Sequence, residues 1–216
     1  MPTTESGQSA HTSSSHRSQN DSISTTTSSD PYPRLSTRRF RFRPFSPADI
    51  APFTVLAGEH RIADTTIGVP HPYTAEFARM WISSHSEAWA ARRALHWAAL
   101  KIGEGRIVGY AGLHNIDIQR RQAELRFWVG CGVKRHENGV EWSEAVVEFA
   151  LKELALNRVY ALQLERHPLV ARVLATVGMQ QQGLVRKRVN KGGLVENVVC
   201  WAISRSDWQT RLEGQG

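Results

Sequence analysis

The stretch from Gln122 to Leu164 constrains the fold more than any other. A run with strand character over 122–130 passes through a polar loop into a helical apolar period over 140–155. A second strand run follows at 159–164. Two strands joined through a helix need a crossover connection, so they lie parallel in one sheet. The neighbouring runs behave differently. Strands at 95–102, 106–113 and 122–130 follow one another across short connections, the first being Gly103-Glu-Gly105, which favours an antiparallel meander. Near the C-terminus, 185–189 and 194–203 pair across Asn190-Lys-Gly-Gly193, a hairpin signal.

The preceding segments complete the order. In Arg39-Phe-Arg-Phe-Arg43 the period is 2, which turns Phe40 and Phe42 inward and three arginines onto a solvated face. Ser46-Pro47-Ala48-Asp49 reads as a helix start, with Ser46 as cap, Pro47 at the first position and Asp49 near the positive helix end. One helix is expected over 74–93, with Phe77, Met80, Trp81, Ser84, His85, Ala88 and Trp89 on a single stripe and both tryptophans in the core. The helix at 140–155 buries Trp142, Ala145, Val146, Phe149 and Leu154, and a short helix at 168–177 stops at Gly178. The expected class is α/β (α+β): a mixed, mostly antiparallel sheet of about seven strands flanked by about four helices.

Residues 1–34, rich in Ser and Thr, hold too few large apolar side chains to offset their ordering entropy and read as a disordered tail. The domain then spans 35–208, and 209–216 reads as a flexible end. No apolar run approaches the roughly 20 residues that cross a bilayer, and the N-terminus lacks a secretory h-region, so no membrane partner is expected. Cys131 and Cys200 are too few and too far apart for a disulfide framework, and no His/Cys cluster suggests a metal. A cytoplasmic, reduced setting is the natural reading. The formal charge of +7 and pI near 9.9 admit nucleic acid, an anionic surface or a phosphate-rich small molecule.

Several phrases, in order, resemble the GCN5-related N-acetyltransferases (GNAT), and most of all their RimJ/RimL-type branch of ribosomal-protein acetyltransferases. They are Leu35-Ser-Thr-Arg-Arg-Phe-Arg-Phe-Arg-Pro-Phe45, Val69-Pro-His-Pro-Tyr73, Gly109-Tyr-Ala-Gly-Leu113 and Ala123-Glu-Leu-Arg-Phe-Trp-Val-Gly130. Downstream come Leu154-Ala-Leu-Asn-Arg-Val-Tyr160, Arg172-Val-Leu-Ala-Thr-Val-Gly-Met179 and Ser206-Asp-Trp208. The resemblance implies the GNAT fold and transfer of an acetyl group from acetyl-CoA to a primary amine, on a small molecule or a protein N-terminus, with no metal. The cofactor would lie where two strands splay apart, against Phe127, Trp128 and Val129, with amides at Trp128 and Val129 facing the oxyanion. Its pyrophosphate would meet loop amides and a helix N-terminus at Lys134, Arg135, His136, Glu137, Asn138, Gly139 and Val140. His167 and Arg172 complete the implied cofactor set.

The loop departs from the family pattern Gln/Arg-x-x-Gly-x-Gly/Ala. Lys134 keeps the charge and Gly139 the last small residue, but Glu137 replaces the middle glycine and Arg135 a second one. A carboxylate beside phosphates is unfavourable by sterics and by charge, unless Glu137 swings outward in an ion pair and leaves the amides free. The family's Asn-x-x-Ser aligns with His167-Pro-Leu-Val170, and Val170 has no proton to give a departing thiolate.

Glu124 is the candidate base, with an ordinary ion pair to Arg126 as the structural alternative. His114, His71 and Tyr73 are candidates for the acceptor side, and His114 could instead serve as the base; a structural histidine and a turn made rigid by two prolines are the bland readings. Cys131 has no nearby base to activate it. The competing class is a non-catalytic GNAT-fold binding protein with weakened or lost CoA binding. A homodimer, and a ribosome or nucleic-acid contact through Arg186-Lys-Arg188 and Lys191, are left open.

Overall fold

The computed structural model describes residues 32–130, 134–191 and 194–214, the side chains of 186–191 and 194 excepted. The elements are β1 (Leu35–Ser36), β2 (Phe40–Pro44), a 3-10 turn (Pro47–Asp49), α1 (Ile50–Ala57), α2 (His60–Thr65), α3 (Ala75–Ser83) and α4 (His85–Ala90). Then follow β3 (Leu95–Lys101), β4 (Ile107–Asp117), β5 (Gln122–Val129), α5 (Arg135–Lys152), β6 (Arg158–Leu164), α6 (Pro168–Thr176), β7 (Gln180–Lys191), β8 (Leu194–Ser204) and α7 (Arg205–Glu213). One sheet has the order β1-β2-β3-β4-β5-β6-β8-β7. Its eighth strand, relative to expectation, is the two-residue β1. The β5–β6 pair is parallel and the other pairs are antiparallel, as the crossover requires.

The alternation of β2 holds: Phe40 and Phe42 are buried under α5, where both meet the Trp142 indole edge-on at 5.2 and 5.8 Å. Its arginines are not a uniformly solvated row. Arg39 donates to Glu141 at 2.6 Å, and Arg43 makes a two-pronged pair with Asp49 at 2.6 and 2.8 Å. Arg41 alone of the three is fully exposed. Asp49 also accepts from the Ser46 N–H at 2.7 Å, so it closes the helix start rather than merely facing the dipole. Burial alone would raise the Asp49 pKa; the Arg43 guanidinium and the Ser46 amide overcome it and pull the pKa down.

Several expectations change, and one helix is new. The segment His60–Thr65 is helical, a single short turn with too few residues to show a period. The helix expected over 74–93 breaks at Ser84 into α3 and α4; Met80 on its stripe is 58% exposed, and Trp81 is only half-buried. α5 begins at Arg135, five residues early, because the polar residues of its first turn carry no apolar period. β4 runs on to Asp117, which places His114 inside the strand. β7 starts at Gln180, and α7 continues past Trp208, capped by Ser204, whose Oγ accepts from the Asp207 N–H at 3.1 Å. At the other end Tyr32 and Pro33 already dock: the Tyr32 hydroxyl donates to the His96 carbonyl at 3.0 Å, and the Pro33 carbonyl accepts from the Trp97 indole at 2.7 Å. Cys131 and the Gly192-Gly193 turn lie outside the described residues. No described helix is long and apolar enough to cross a membrane.

Candidate active site

The register of the meander assigns side chains to the two sheet faces. Trp97, Ala111, Leu113, Ala123 and Leu125 form the core that α5 covers with Trp142, Val146 and Ala150. On the other face, cross-strand partners line up in rows: Tyr110 opposite Trp128, Gly112 opposite Arg126, His114 opposite Glu124. The α1–α4 layer covers these rows with Phe53, Tyr73, Phe77 and Trp81.

A cleft opens where this layer ends. β5 and β6 pair at Gln122↔Arg158, Ala123↔Val159 and Glu124↔Tyr160, and not further. β5 continues to Val129, still bonded to β4, and β6 continues to Leu164, still bonded to β8. The two strands therefore splay, and the edge of β5 over 125–128 faces a gap instead of a neighbouring strand. The cleft holds about 950 Å³ counted to its open mouth. Its walls are Phe53, Tyr73, Phe77, Trp81, Tyr110 and Trp128 on one side, Ala161–Leu164 with Val170 and Leu174 on the other, and His114, Glu124 and Arg126 at its polar end.

Of the residues singled out from the sequence, Glu124, Phe127, Trp128, His114 and Tyr73 line this one space. Val129 is buried and is not part of the cleft lining; its carbonyl accepts from Arg61 at 3.4 Å. Asn138 and Gly139 are buried in the first turns of α5. A Cβ on Gly139 would stand 3.2 Å from the Phe127 ring and from Val173, so glycine there lets α5 approach β5 and α6 closely. Lys134 and Arg135 are exposed at the helix start. His136, Glu137 and Val140 face a separate shallow groove with Arg38 and Arg39. The Glu137 carboxylate pairs with Lys134 at 3.4 Å and Arg39 at 3.8 Å, turned out to solvent as the ion-pair alternative had it, with Arg39 in place of Arg135. The His167 ring donates from Nε2 to the Asp64 carbonyl at 3.2 Å, and Arg172 is exposed on α6. His71 is exposed and edge-on to His60, outside the cleft lining.

Glu124 is 3% exposed, and both of its oxygens are engaged. Oε1 accepts from Arg126 Nε at 2.7 Å; Oε2 accepts from Arg126 Nη2 at 2.9 Å and Asn115 Nδ2 at 2.7 Å. The ion pair is thus formed, and it holds a guanidinium over the cleft floor. Sequence reading missed the polar cluster behind it. Tyr110 Oη lies 3.0 Å from His96 Nδ1 and also bonds His114 Nε2, while His85 stacks on His96 with ring centroids 4.0 Å apart. The signal was available: Tyr110 and His114 are four apart on one strand and so share a face.

Burial lowers these histidines, with His96 opposing a charge on His85 and Arg126 opposing one on His96: His85 to about 2 and His96 to about 4, from an ordinary 6.5. The folded chain keeps both neutral, whereas the unfolded chain takes up protons below about pH 6.5. Their contribution is complete above that pH and is lost as the pH falls toward 4. Each group adds a slope of about 1.4 kcal/mol per pH unit in that window. Neither ring nitrogen of His85 has a hydrogen-bond partner among the described residues. His85→Phe is therefore expected to flatten the acid limb of stability by one such slope, measured by urea unfolding between pH 4 and 7. An unchanged limb would show that His85 is solvated.

A family model described as an acetyltransferase (GNAT) domain matches residues 39–180. The chain belongs to the GNAT acetyltransferase family. A Bacillus subtilis (strain 168) protein named "Probable N-acetyltransferase YjcK" is 28% identical over 139 residues, 62% of this chain and 75% of the relative. Among solved structures, a ribosomal-protein-S5-alanine acetyltransferase from Vibrio fischeri superposes with a TM-score of 0.72 at 17% identity, covering 82% of this chain and 98% of that one. Mycobacterium smegmatis RimJ, solved in complex with CoA-disulfide, gives 0.70 at 18% identity over 81% and 87%. These neighbours agree with the RimJ/RimL-type branch.

Proposed function

We propose that this GNAT domain transfers an acetyl group from acetyl-CoA to a primary amine, on a small molecule or a protein N-terminus. The observation that carries the reading is the splay of β5 from β6. It leaves a row of strand amides and carbonyls over 125–128 able to bond an extended, amide-containing arm such as pantetheine, in an apolar cleft that excludes water. The N-terminus of α5 supports the pyrophosphate end: backbone N–H groups there have no helical partner, Gly139 keeps the backbone close to β5, and Glu137 is turned away. The amides near Trp128 would serve the developing oxyanion. Lys134 and Arg135 are exposed cations for phosphates, and Arg172 could add a third.

Val170 stands in the cleft wall where a proton donor for the thiolate is absent, and His167 is bonded to Asp64. These residues favour a slow enzyme, since losing a general acid typically lowers the rate about 10²–10⁴-fold without abolishing it. The second reading, a binding module without catalysis, rests on the same two positions.

Isothermal titration with acetyl-CoA tests the proposal. Micromolar binding is expected, and no heat at millimolar acetyl-CoA would overturn it. Because Glu137 already points to Arg39, Glu137→Gly is expected to change the affinity less than about threefold, below 1 kcal/mol. A gain of tenfold or more would show that the carboxylate occupies the phosphate site in solution.

A further inference from the structure

Resting on the acetyltransferase reading, the geometry points to His114 as the group that deprotonates the acceptor amine, with Tyr110 and His96 as positioning residues that fix its tautomer. His114 lines the cleft beside Glu124, its cross-strand partner on β5. Its Nε2 is committed to Tyr110 Oη, and that hydroxyl bonds in turn to His96 Nδ1 at 3.0 Å. His114 Nδ1 has no hydrogen-bond partner among the described residues. A hydroxyl donates one proton, so the chain has two possible senses. With Nε2–H of His114 donating to Tyr110 and Tyr110 donating to His96, Nδ1 keeps a lone pair. The opposite sense would put the proton on Nδ1 and leave the lone pair on His96 Nε2, so the tautomer of His114 reports which sense the chain takes.

Gly112 makes the arrangement possible. A Cβ at that position would collide with the Tyr110 hydroxyl and the Leu95 carbonyl, so the residue between Tyr110 and His114 on their shared face has to lack one. Glu124 is a poorer candidate for the base, because both of its oxygens already accept from Arg126 and Asn115 and neither is turned to an incoming amine.

The groups facing His114 are His85 from α4, His96 from β3, Tyr110 from its own strand, and Glu124 with Arg126 from β5. Burial first, then His96, Arg126 and His85, hold the His114 pKa well below 6.5, so the ring is neutral throughout the physiological range. The same dry surroundings make an incoming ammonium more acidic, which narrows the gap between the two nitrogens. His114 Nδ1 takes one ammonium proton, and the freed lone pair bonds to the thioester carbonyl carbon. As the C–S bond breaks, the second proton leaves nitrogen for the departing thiolate, giving amide and thiol. His114 then returns its proton to solvent, and one proton is released per turnover.

Nitrogen-15 NMR of the free protein reads the tautomer without any acceptor. At pH 7 His114 is expected as the neutral Nε2–H form alone, and Tyr110→Phe is expected to let the Nδ1–H form become detectable beside it; an Nδ1–H or charged ring in the wild type would overturn the assignment. Kinetics at saturating acetyl-CoA with alaninamide and with tyramine form the second arm. His114→Gln is expected to lower kcat about 10²–10³-fold at pH 7 while leaving acetyl-CoA affinity unchanged. The defect should shrink as the pH approaches the amine's own pKa, where no base is needed. A defect independent of pH would mean a structural role. Acetyl-CoA binding without turnover of either amine would overturn the catalytic assignment alone, whereas absence of binding would remove the underlying function.

Discussion

Replacing Trp142 by alanine is expected to lower the unfolding free energy by about 3–5 kcal/mol, a large share of the 5–15 kcal/mol typical of a domain. The indole is fully buried where α5 crosses the sheet, edge-on to Phe40 and Phe42 of β2. It reaches β4 at Gly109, where any Cβ would lie 2.6 Å from the ring. Truncation would leave a void under three strands that cannot collapse without moving the helix. The Nε1–H of Trp142 has no hydrogen-bond partner among the described residues, so nearly all of the loss is packing. Trp142→Phe, which removes that orphaned donor, should therefore lose much less. Urea unfolding followed by far-UV circular dichroism measures both as a shift in midpoint at constant m. A loss under 1 kcal/mol for the alanine variant would mean that α5 does not pack as described.

Arg126→Met is expected to be the second large effect, near 3 kcal/mol, because it leaves the Glu124 carboxylate buried with Asn115 as its remaining partner. The Arg126 side chain is 37% exposed, which places the estimate at the lower end of the 3–5 kcal/mol seen for broken buried pairs. The double variant Glu124→Gln/Arg126→Met should recover most of it, so a double-mutant cycle is expected to return a coupling of about 2 kcal/mol. Near-zero coupling would mean that the pair is open in solution and that Glu124 is free to act as a base. The same cycle thus separates the two roles that the sequence left open for Glu124.

Much of the architecture was legible before any coordinates. The alternation around Phe40 and Phe42, the crossover through 140–155 and the short meander turns each bury apolar surface in one way only, and the structure follows them. What escaped had little apolar signal to offer. The first turn of α5 is Arg135-His-Glu-Asn138, polar throughout, and helical because its later turns are anchored by Trp142 and Val146. α2 is six residues long, too short for a period. α3 and α4 share a stripe that reads as one helix, and the interruption at Ser84, whose backbone stays helical, leaves no mark in that stripe.

The candidate site divides along the same line. By itself the sequence determined the family phrases, the strand that carries Glu124, Phe127 and Trp128, and the glycine at 139, because these depend on residue type at fixed spacing along one segment. Only the tertiary structure decided that Glu137 turns to Arg39, that His167 is bonded to Asp64, that Glu124 is locked to Arg126 and Asn115, and that His85, His96, Tyr110 and His114 meet. Each of those contacts joins segments distant in the chain or depends on which way a flexible side chain turns. Spacing along one strand can say that two side chains share a face, but which partners then bond is fixed only when the folded chain brings them together.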